Sequence, residues 1–534
     1  MYLPGNGYAV VASLAALLGT VHFASRMIYN IYFHPLAQYP GPLLHRATRL
    51  AYVYHLISGK LPLAVYRLHS KYGPVVRIAP DELSFTDPEA WKDIYGNKPG
   101  LPSGSEAVEL PKSPVFYHSD ALPPSLINES RANHTLLRRH LGHGFSERSL
   151  RDQEPIIGAY TDLLVRRLRE HAVQAVDHPG TTCSKKLNAL DMTAWFNWTT
   201  FDIIGDLAFG EPFGCLDEAK YDPWVTAING MLRLSGYLFA IKHLGLQRLL
   251  RPLFLLLGRG RREHQKRTLQ KLRRRMAGDP DRPDLIQGLL KNKDAWNMSI
   301  ERLQVNAGTL IVAGSETTAT LLCGATYLLL RNPAALKRLT AEVRSAFQTD
   351  ADITLTAVGN LPYLLACLTE SLRRYPPVTL GMPRVAPKGG AIIAGEFVPE
   401  GTTVAVWQWP INHDAAHWKD PFDFRPERFL PRDDNSNNDF VHDRLDALQP
   451  FLVGPRNCIG RNLAYAEMRL ILAKLVFHFD MRLAAAAEEE DDRAGNEKRG
   501  NGVQKKTADW IEGQKSDILW RKTPLFVYLV PVAR

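Results

Sequence analysis

Apolar residues are spread unevenly along this chain, and their spacing predicts its elements. Residues 8–23 are almost wholly apolar, and a weaker run to residue 33 brings the segment to the ~20 residues that a helix needs to cross a bilayer. Between residues 131 and 372 apolar positions recur mostly at helical spacing, interrupted by loops rich in proline and glycine. Long helical patterns cover residues 299–330 and, near the end, residues 461–479.

Short apolar runs between turn residues predict a few strands. Residues 73–85 contain two such runs around Pro80-Asp81 and predict a hairpin, which is followed by a helix near residues 88–95. Further strands are predicted at residues 391–393 and 403–408. The whole pattern predicts a mostly α fold with minor β sheets, α+β by a strict count.

The chain has 534 residues without a Gly/Ser linker or an internal repeat, so we expect one large domain, residues 50–534, behind an apolar appendage, residues 1–33. Residues 34–49 contain the run Tyr39-Pro-Gly-Pro42, whose prolines resist helix and predict a stiff hinge. Residues 488–506 are charges and glycines that cannot bury enough apolar area, and we expect a mobile surface loop without an assigned function.

Charge narrows the range of partners. The 65 Lys and Arg against 55 Asp and Glu give a formal charge of +10, which suits an anionic membrane surface or an acidic protein. The densest basic run, residues 259–275, has no interleaved aromatic residues to stack bases and is typical of a solvated helix face, so no nucleic-acid partner is expected. The five cysteines are irregularly spaced, which argues against a secreted disulfide framework.

The apolar appendage is typical of a single-pass signal anchor. A cleavable signal peptide is the rival, but no basic region precedes the apolar run, and Arg26, Arg46 and Arg49 follow it. By the positive-inside rule the large domain then stays cytosolic. The N-glycosylation sequons should consequently go unused; they lie at Asn128, Asn133, Asn197 and Asn297.

The most specific chemical signal is the segment Phe451-Leu-Val-Gly454-Pro-Arg456-Asn-Cys458-Ile-Gly460, directly before the last predicted helix. A lone cysteine is normally a small buried hydrophobe. Here five fixed residues at ~1/20 each make a chance match on the order of 10⁻⁴ over the whole chain. The segment resembles the haem-binding loop of cytochromes P-450. This resemblance implies the P-450 fold, with haem b as cofactor and Cys458 as the axial thiolate ligand of its iron.

Each fixed residue of this loop has a physical task. The N-terminus of the following helix and nearby backbone N–H groups would help to hold Cys458 as a thiolate. Gly454 and Gly460 would let the backbone turn tightly and approach the porphyrin without a Cβ clash. Phe451 would shield the sulfur from water, and Arg456 would pair with a haem propionate.

A second motif, Ala313-Gly314-Ser-Glu316-Thr317-Thr318, lies within the predicted helix at residues 299–330. Gly314 weakens a helix locally, and threonine hydroxyls compete for backbone carbonyls, so the pattern predicts a groove that holds water. Taken alone, the motif is better explained by plain helix packing. Beside the cysteine loop it resembles the family's oxygen-activating segment, which implies that Thr317 holds the oxygen and Glu316 helps to supply protons.

Glu370 and Arg373 place opposite charges at i and i+3 on one helical face, elsewhere a surface pair worth under about 1 kcal/mol. Together with the segment Pro426-Glu-Arg428-Phe429 they resemble the family's buried Glu-Arg-Arg triad, completed by Arg428. The resemblance implies an architectural role, bracing the chain that leads into the cysteine loop.

Three further basic residues resemble the family's haem-propionate ligands. His134 and Arg138 precede Phe145 with the spacing of a Trp-xxx-Arg pair, histidine standing where the family has tryptophan. Arg384, after Gly381-Met-Pro, matches another propionate-binding arginine. The alternative for each arginine is a solvated surface charge.

The resemblance covers nearly the whole chain. The sequence of residues 71–85 resembles that of filamentous-fungal family members that act in secondary metabolism. It implies a monooxygenase of the endoplasmic reticulum membrane that inserts one atom of O₂ into a hydrophobic small molecule, a terpenoid or polyketide. The chain has no dinucleotide or flavin motif, so electrons from NADPH must come through NADPH-cytochrome P-450 reductase, with cytochrome b5 as a second candidate partner.

Two other functional classes and one structural alternative stay open. An isomerase or dehydratase of the same fold needs neither O₂ nor reductase, and a haem sensor or carrier needs no oxygen-activating helix; the intact Glu316-Thr317 pair argues against both. The pocket is expected from apolar loops at residues 101–128, 228–244 and 378–382. Residues 234–257 predict either a patch that dips into the bilayer or an ordinary core helix.

Overall fold

The computed structural model describes residues 5–97, 109–118, 123–176, 184–247, 259–292, 298–431, 439–484 and 509–533. The predicted charged loop at residues 488–506 lies outside these ranges, as do Asn297 and residues 248–257 of the apolar segment.

Helices make up most of the described chain. The α-helices are α1 (Gly5–Tyr32), α2 (Leu43–Ala47), α3 (Leu50–Ile57), α4 (Leu61–Tyr72), α5 (Glu89–Tyr95), α6 (Pro114–Tyr117), α7 (Arg131–Gly142), α8 (Glu147–Ala172), α9 (Met192–Phe209), α10 (Cys215–Glu218), α11 (Pro223–His243), α12 (Arg259–Ala277), α13 (Gln287–Asn292), α14 (Ile300–Arg331), α15 (Pro333–Ala346), α16 (Leu355–Val358), α17 (Pro362–Arg374), α18 (Gln408–Asn412) and α19 (Arg461–His478). Short 3-10 helices lie at His143–Phe145, Asp350–Asp352, Pro426–Phe429 and Leu445–Ala447.

The strands are short and form small sheets. They are β1 (Val75–Ala79), β2 (Glu82–Phe85), β3 (Val173–Val176), β4 (Ser184–Leu187), β5 (Ala189–Asp191), β6 (Arg384–Val385), β7 (Ala391–Ile393), β8 (Glu396–Val398), β9 (Thr403–Val406), β10 (Phe479–Leu483), β11 (Lys515–Ser516), β12 (Trp520–Arg521) and β13 (Phe526–Pro531). One sheet has the order β1-β2-β9-β6 and another β10-β13-β5; β3-β4, β7-β8 and β11-β12 are separate pairs. The predicted mostly helical fold with minor sheets is confirmed.

Helix α14 lies at the centre of the main core. It begins where the sequence pattern predicts. The Ser299 side chain accepts a hydrogen bond from the Arg302 amide at 3.3 Å and so caps the start of the helix. α14 packs along α9, most of whose residues are buried. At Gly314 an added Cβ would lie 2.7 Å from Ile204 Cδ1 of α9. Gly314 therefore allows close packing of the two helices, and α14 remains α-helical across it.

The four-stranded sheet positions one side of the functional site. β6 pairs antiparallel with β9, with Arg384 opposite Val404. On the free side of β6, Lys112 forms an isolated antiparallel bridge with Arg384, and the Val385 amide donates to the Pro111 carbonyl at 2.8 Å. This pairing places Lys112, which belongs to no sequence motif, beside Arg384.

The N-terminal segment leads from an exposed helix onto the folded domain. Within α1 the apolar stretch Tyr8–Tyr32 is 25 residues long, enough to cross a membrane, and no part of it is buried. The next residues pack against β1, since Leu36 and Tyr39 are buried and the Arg77 amide donates to the Pro40 carbonyl at 2.8 Å. The Tyr-Pro-Gly-Pro run is thus attached to the domain.

One prediction about charge is wrong in part. The basic run at residues 259–275 is helical, as α12, but it is not a fully solvated face. Arg275 is 4% exposed, and its Nε lies 2.5 Å from the buried Asp284 carboxylate. This carboxylate compensates the buried charge, which the sequence pattern of α12 alone could not reveal.

The described part of the apolar segment at residues 234–257 has two different faces. Leu234, Tyr237 and Leu244 are exposed apolar side chains. On the other side Ala240 is buried, and the Phe239 ring stacks on Phe116 with centroids 4.8 Å apart. One face thus belongs to a core, while on the other face Leu234 and Tyr237 line the cavity described below.

Candidate active site

A cavity of about 830 Å³ lies among α14, α11 and the loop before α19. Its walls are mainly aliphatic, and each predicted pocket loop contributes, through Ile127, Leu238 and Val378 for example. Concave, largely apolar spaces of this size are typical sites for small organic molecules. The prediction of the pocket loops is confirmed for the described residues.

The Cys458 loop is folded by its own backbone. The Cys458 amide donates to the Phe451 carbonyl at 2.8 Å, and the Asn457 amide to the Gly454 carbonyl at 3.1 Å. Gly454 has a φ of +77°, and a Cβ there would collide with the Tyr95 carbonyl oxygen, so only glycine fits. Gly460 has a φ of −85°, which any residue adopts. The predicted need for a tight turn is therefore confirmed at Gly454 and wrong at Gly460, while the close approach to the porphyrin stays a prediction for both.

Cys458 and Phe451 both line the cavity, and the accessible surface of Cys458 faces it. Burial raises the pKa of the Cys458 thiol, while the Gly460 N–H and the Arg138 guanidinium act in the opposite direction. A backbone N–H was expected to favour the thiolate, but burial is the larger effect. A bound metal cation would supply the remaining stabilisation of a thiolate.

Of the two predicted catalytic residues, the structure brings only Thr317 to the cavity. The Thr317 hydroxyl donates to the Ala313 carbonyl at 2.7 Å, the predicted competition for a helix carbonyl. Glu316 is directed elsewhere because neighbouring residues on a helix differ by about 100°. Its Oε2 lies 2.5 Å from the Lys522 Nζ, and both side chains are less than a tenth exposed. Lys522 carries no sequence signal, since it comes from the distant segment between β12 and β13.

The predicted basic residues His134, Arg138 and Arg384 line the cavity together. Arg138 donates to Asn457 through Nη1 to the carbonyl at 2.7 Å and through Nη2 to Oδ1 at 2.5 Å, which joins α7 to the cysteine loop. Arg384 Nη1 donates to the Leu110 carbonyl at 3.1 Å, while its buried Nε has no partner among the described residues. Burial, followed by nearby cations, lowers the pKa of His134 to about 4, so its ring is neutral at pH 7.

Lys112 is a cavity residue that sequence reasoning missed. Its Nζ donates to the Ile127 carbonyl and lies 4.7 Å from the centroid of the Tyr117 ring. Burial, and then the positive charges of Arg384 and Arg456, lower its pKa to about 7. No motif surrounds it, and only its pairing with β6 explains its place.

Arg456 also lines the cavity, but most of its donors are already in use. Its Nε lies 3.0 and 3.1 Å from the two carboxylate oxygens of Glu109, its Nη2 lies 2.7 Å from Glu109 Oε1, and its Nη1 donates to the Glu129 carbonyl at 2.9 Å. A guanidinium has five N–H groups, so one on each Nη stays available for another acceptor. Glu109 was not predicted either.

These residues fit a haem with two propionates. Four cationic side chains line the cavity, and Glu109 is the carboxylate that the described residues place against them. The Arg384 Nε has no partner among the described residues, and Arg384 and Arg456 add to the effect of burial in lowering the pKa of Lys112, which fits a positive charge that an anion would stabilise. Two haem propionates, together with Glu109, would supply three negative charges to this cationic lining, while the charge of the thiolate would be taken up by the metal. The fit rests on this charge and on the cysteine that faces the same space.

The predicted Glu-Arg-Arg triad is present and fully buried. Arg373 Nε and Nη2 each lie 2.7 Å from a Glu370 carboxylate oxygen, and Arg428 Nε lies 3.4 Å from Glu370 Oε1. Arg428 also forms an ion pair with Asp443, a fourth member that was not predicted. The guanidinium of Arg373 donates to the carbonyls of Asn412, Pro421 and Asp423 at 2.7, 2.7 and 3.0 Å. The predicted bracing of the chain before the cysteine loop is confirmed.

Comparison with known proteins agrees with this geometry. Residues 40–508 match the family model described as Cytochrome P-450. Cytochrome P-450 monooxygenase tpeC of Talaromyces stipitatus is 47% identical, over 98% of this chain and 95% of its own length. Cytochrome P-450 monooxygenase prhB of Penicillium brasilianum is 44% identical, over 95% and 96%. Averantin hydroxylase of Dothistroma septosporum is 40% identical, over 98% and 93%.

The chain therefore belongs to the cytochrome P-450 family, and its similarity to fungal members is confirmed. Members of this family are haem-thiolate monooxygenases in which a cysteine ligates the iron and NADPH supplies electrons through a reductase.

Proposed function

We propose that this chain is a membrane-anchored monooxygenase in which Cys458 is the axial ligand of haem b and a hydrophobic small molecule is oxidised in the cavity. The observation that carries the proposal is that Cys458 and Thr317 line one apolar cavity that also gathers four cations. Haem, when bound, supplies the activation of O₂ with electrons that come from NADPH through the reductase. A terpenoid or a polyketide suits the aliphatic walls.

In this proposal the basic residues hold the propionates. Arg384 offers its partnerless Nε, Arg456 its two remaining N–H groups, and the neutral His134 ring one N–H. Arg138 also fixes the cysteine loop through Asn457. The Phe451 ring, packed 5.3 Å from Tyr465, keeps water from the Cys458 sulfur.

Thr317 and Glu316 are proposed to handle protons. The Thr317 hydroxyl donates to Ala313, so its oxygen can accept a hydrogen bond from water in the cavity. Once the hydroxyl rotates away from Ala313, it can pass its own proton on and be reprotonated by that water. Glu316 has one carboxylate oxygen on Lys522 and a buried second oxygen without a partner among the described residues. Glu316 can serve the cavity only after its carboxylate leaves Lys522 and takes a proton from water, so the contact with Lys522 controls this proton relay.

The proposed location is the endoplasmic reticulum membrane, with residues 1–33 as a single-pass anchor, residues 34–49 as the connection and residues 50–534 as a cytosolic catalytic domain. The unburied apolar stretch Tyr8–Tyr32 and the basic residues after it support this arrangement. Asn197 is only 4% exposed, which suits an unused sequon. Cytochrome b5 is proposed as a second electron donor beside the reductase.

The test is the fate of electrons in Thr317→Ala. Alanine keeps the helix but removes the hydroxyl, so NADPH should still be consumed while product per NADPH falls by about 10-fold and hydrogen peroxide rises. Both quantities are measured with reductase and an apolar substrate that the wild type converts.

Thr309→Ala is the matched control for this test. Thr309 lines the same cavity on α14, and its hydroxyl donates to the Val305 carbonyl at 2.8 Å, but it lies eight residues away, about 12 Å along the helix. Its product-to-NADPH ratio should stay at the wild-type value. An unchanged ratio in Thr317→Ala would contradict the proposed proton role and mean that protons reach the oxygen by another route, such as water alone.

A further inference from the structure

The end of the cavity where α12 meets α14 is polar, in contrast to its aliphatic walls. Gln265 of α12 and Gln304 of α14 line it, next to apolar side chains of α11 such as Met231 and Leu238. Both glutamine side chains are half-buried. Neither has a part in the proposed haem site.

The orientation of the Gln304 amide follows from its contact. Gln304 Nε2 donates to the Gln265 backbone carbonyl at 2.6 Å. A carbonyl oxygen can only accept, so the nitrogen must face it and the Gln304 side-chain oxygen is left to accept from another group. The described residues provide no hydrogen-bond partner for the side-chain amide of Gln265. The two side chains together therefore offer a donor and an acceptor to whatever enters this end of the cavity.

The distance between the glutamine pair and Thr317 sets the length of a molecule that reaches both. Gln304 and Thr317 are thirteen residues apart on α14, about 20 Å along the helix axis. Cavity-lining residues of α14 connect them at four-residue steps, namely Val305, Thr309 and Ala313. A molecule that reaches both ends is therefore elongated.

Charge restricts the group that is recognised. The cationic side chains that the structure shows lining the cavity are Lys112, Arg138, Arg384 and Arg456, and none of these is on α12 or α14. Two neutral amides satisfy a hydroxyl or a carbonyl oxygen without leaving a buried charge unpaired, whereas they cannot neutralise a carboxylate.

We propose that Gln265 and Gln304 form a subsite that selects an elongated, neutral and otherwise apolar substrate with a hydroxyl or carbonyl oxygen at the end opposite to the carbon that is oxidised. The inference rests on the proposed function, because it takes the Thr317 end of the cavity as the place of oxidation.

The probes are 1-alkylimidazoles from octyl to hexadecyl and their ω-hydroxy counterparts. The imidazole nitrogen binds the haem iron and shifts the Soret band, so the alkyl chain measures the distance to the far end. In the wild type the affinity of each ω-hydroxy probe, divided by that of the alkylimidazole of the same chain length, should reach a maximum at one chain length. At that length the ratio should fall by about 10-fold in Gln265→Met and in Gln304→Met. Gln270→Met, an exposed glutamine on the same helix α12, should keep the maximum.

The two glutamine variants distinguish recognition of the probe from a purely structural contact between α12 and α14. Gln265→Met retains the backbone carbonyl that Gln304 contacts, so it tests recognition without breaking the link between the two helices, and it decides the question if Gln304→Met fails to fold. The same ratio in all variants, or a change in Gln304→Met alone, would overturn the subsite while leaving the monooxygenase intact. No Soret shift with any alkylimidazole would overturn the proposed function instead.

Discussion

Two groups of charged side chains in this protein are built around arginine but differ in their balance. In the buried group, Glu370 and Asp443 face Arg373 and Arg428, so acids and bases are equal in number. Around the cavity, four cations face Glu109 alone among the described acids. A buried group with matched charges is complete without a ligand, whereas a lining with excess charge requires an anion from outside.

The difference also appears at single atoms. Arg373 uses Nε, Nη1 and Nη2 in contacts with Glu370 and three backbone carbonyls. Arg384 donates through Nη1 to the Leu110 carbonyl at 3.1 Å, and its buried Nε has no partner in the described structure. The same residue type is thus saturated by protein groups in one place and, in our proposal, left to bind a ligand in the other.

The largest effect is expected in the balanced group. Glu370→Ala leaves Arg373 and Arg428 without their shared carboxylate, at a cost of about 3 to 5 kcal/mol in the free energy of unfolding. We expect little haem-containing protein, measured as haem absorbance per protein after purification. Arg425→Ala, which removes an exposed partner of Asp423, should cost under about 1 kcal/mol. Equal haem contents in both variants would show that the buried charges are not required.

A smaller effect is expected at the cavity. Arg384→Met removes a cation that the fold satisfies poorly, so the protein should fold but release haem about 10- to 100-fold faster. The measurement is the rate of haem transfer to an excess of apomyoglobin. Lys388→Met, an exposed neighbour on the same segment, should release haem at the wild-type rate. A wild-type rate in Arg384→Met would remove Arg384 from the propionate site.

The smallest effect concerns the pH dependence caused by Lys112. Its pKa is lowered from 10.5 to about 7, so between these values the unfolded chain binds more protons than the folded one. Stability of the haem-free protein should therefore rise from pH 7 towards pH 10, and Lys112→Met should flatten this rise.

Bound haem should also reduce this rise of stability with pH, because its propionates would restore the proton on Lys112. The check is urea unfolding at several pH values, with and without haem. A rise that persists in the haem-loaded protein would separate Lys112 from the anion site.

The sequence predicted what depends on local patterns. Helix α14, the hairpin of β1 and β2, and the Glu370–Arg373 pair lie within short stretches whose spacing carries the signal. Lys112 and Lys522 escaped prediction because a strand pairing and a distant C-terminal segment bring them into place. Propensity and motif describe neighbours along the chain, while these contacts join residues that are neighbours only after folding.

The motif also could not show where adjacent side chains point. Glu316 and Thr317 were predicted to act together, yet the helix directs one towards Lys522 and the other into the cavity. Likewise Gly314 was expected to open a groove, whereas its contact with Ile204 makes it a packing residue. Such orientations depend on the helices that pack around α14.

The central claim is that Cys458 ligates haem iron, and the carbon monoxide spectrum of the reduced protein tests it most directly. The wild type and Cys367→Ala, which changes a fully buried cysteine, should both give the strongly red-shifted Soret band of thiolate ligation. Cys458→Ala should lack this band, and Cys458→His, if it holds haem through an imidazole, should show the band of a nitrogen ligand. A red-shifted band that persists in Cys458→Ala would contradict the account and place the thiolate elsewhere.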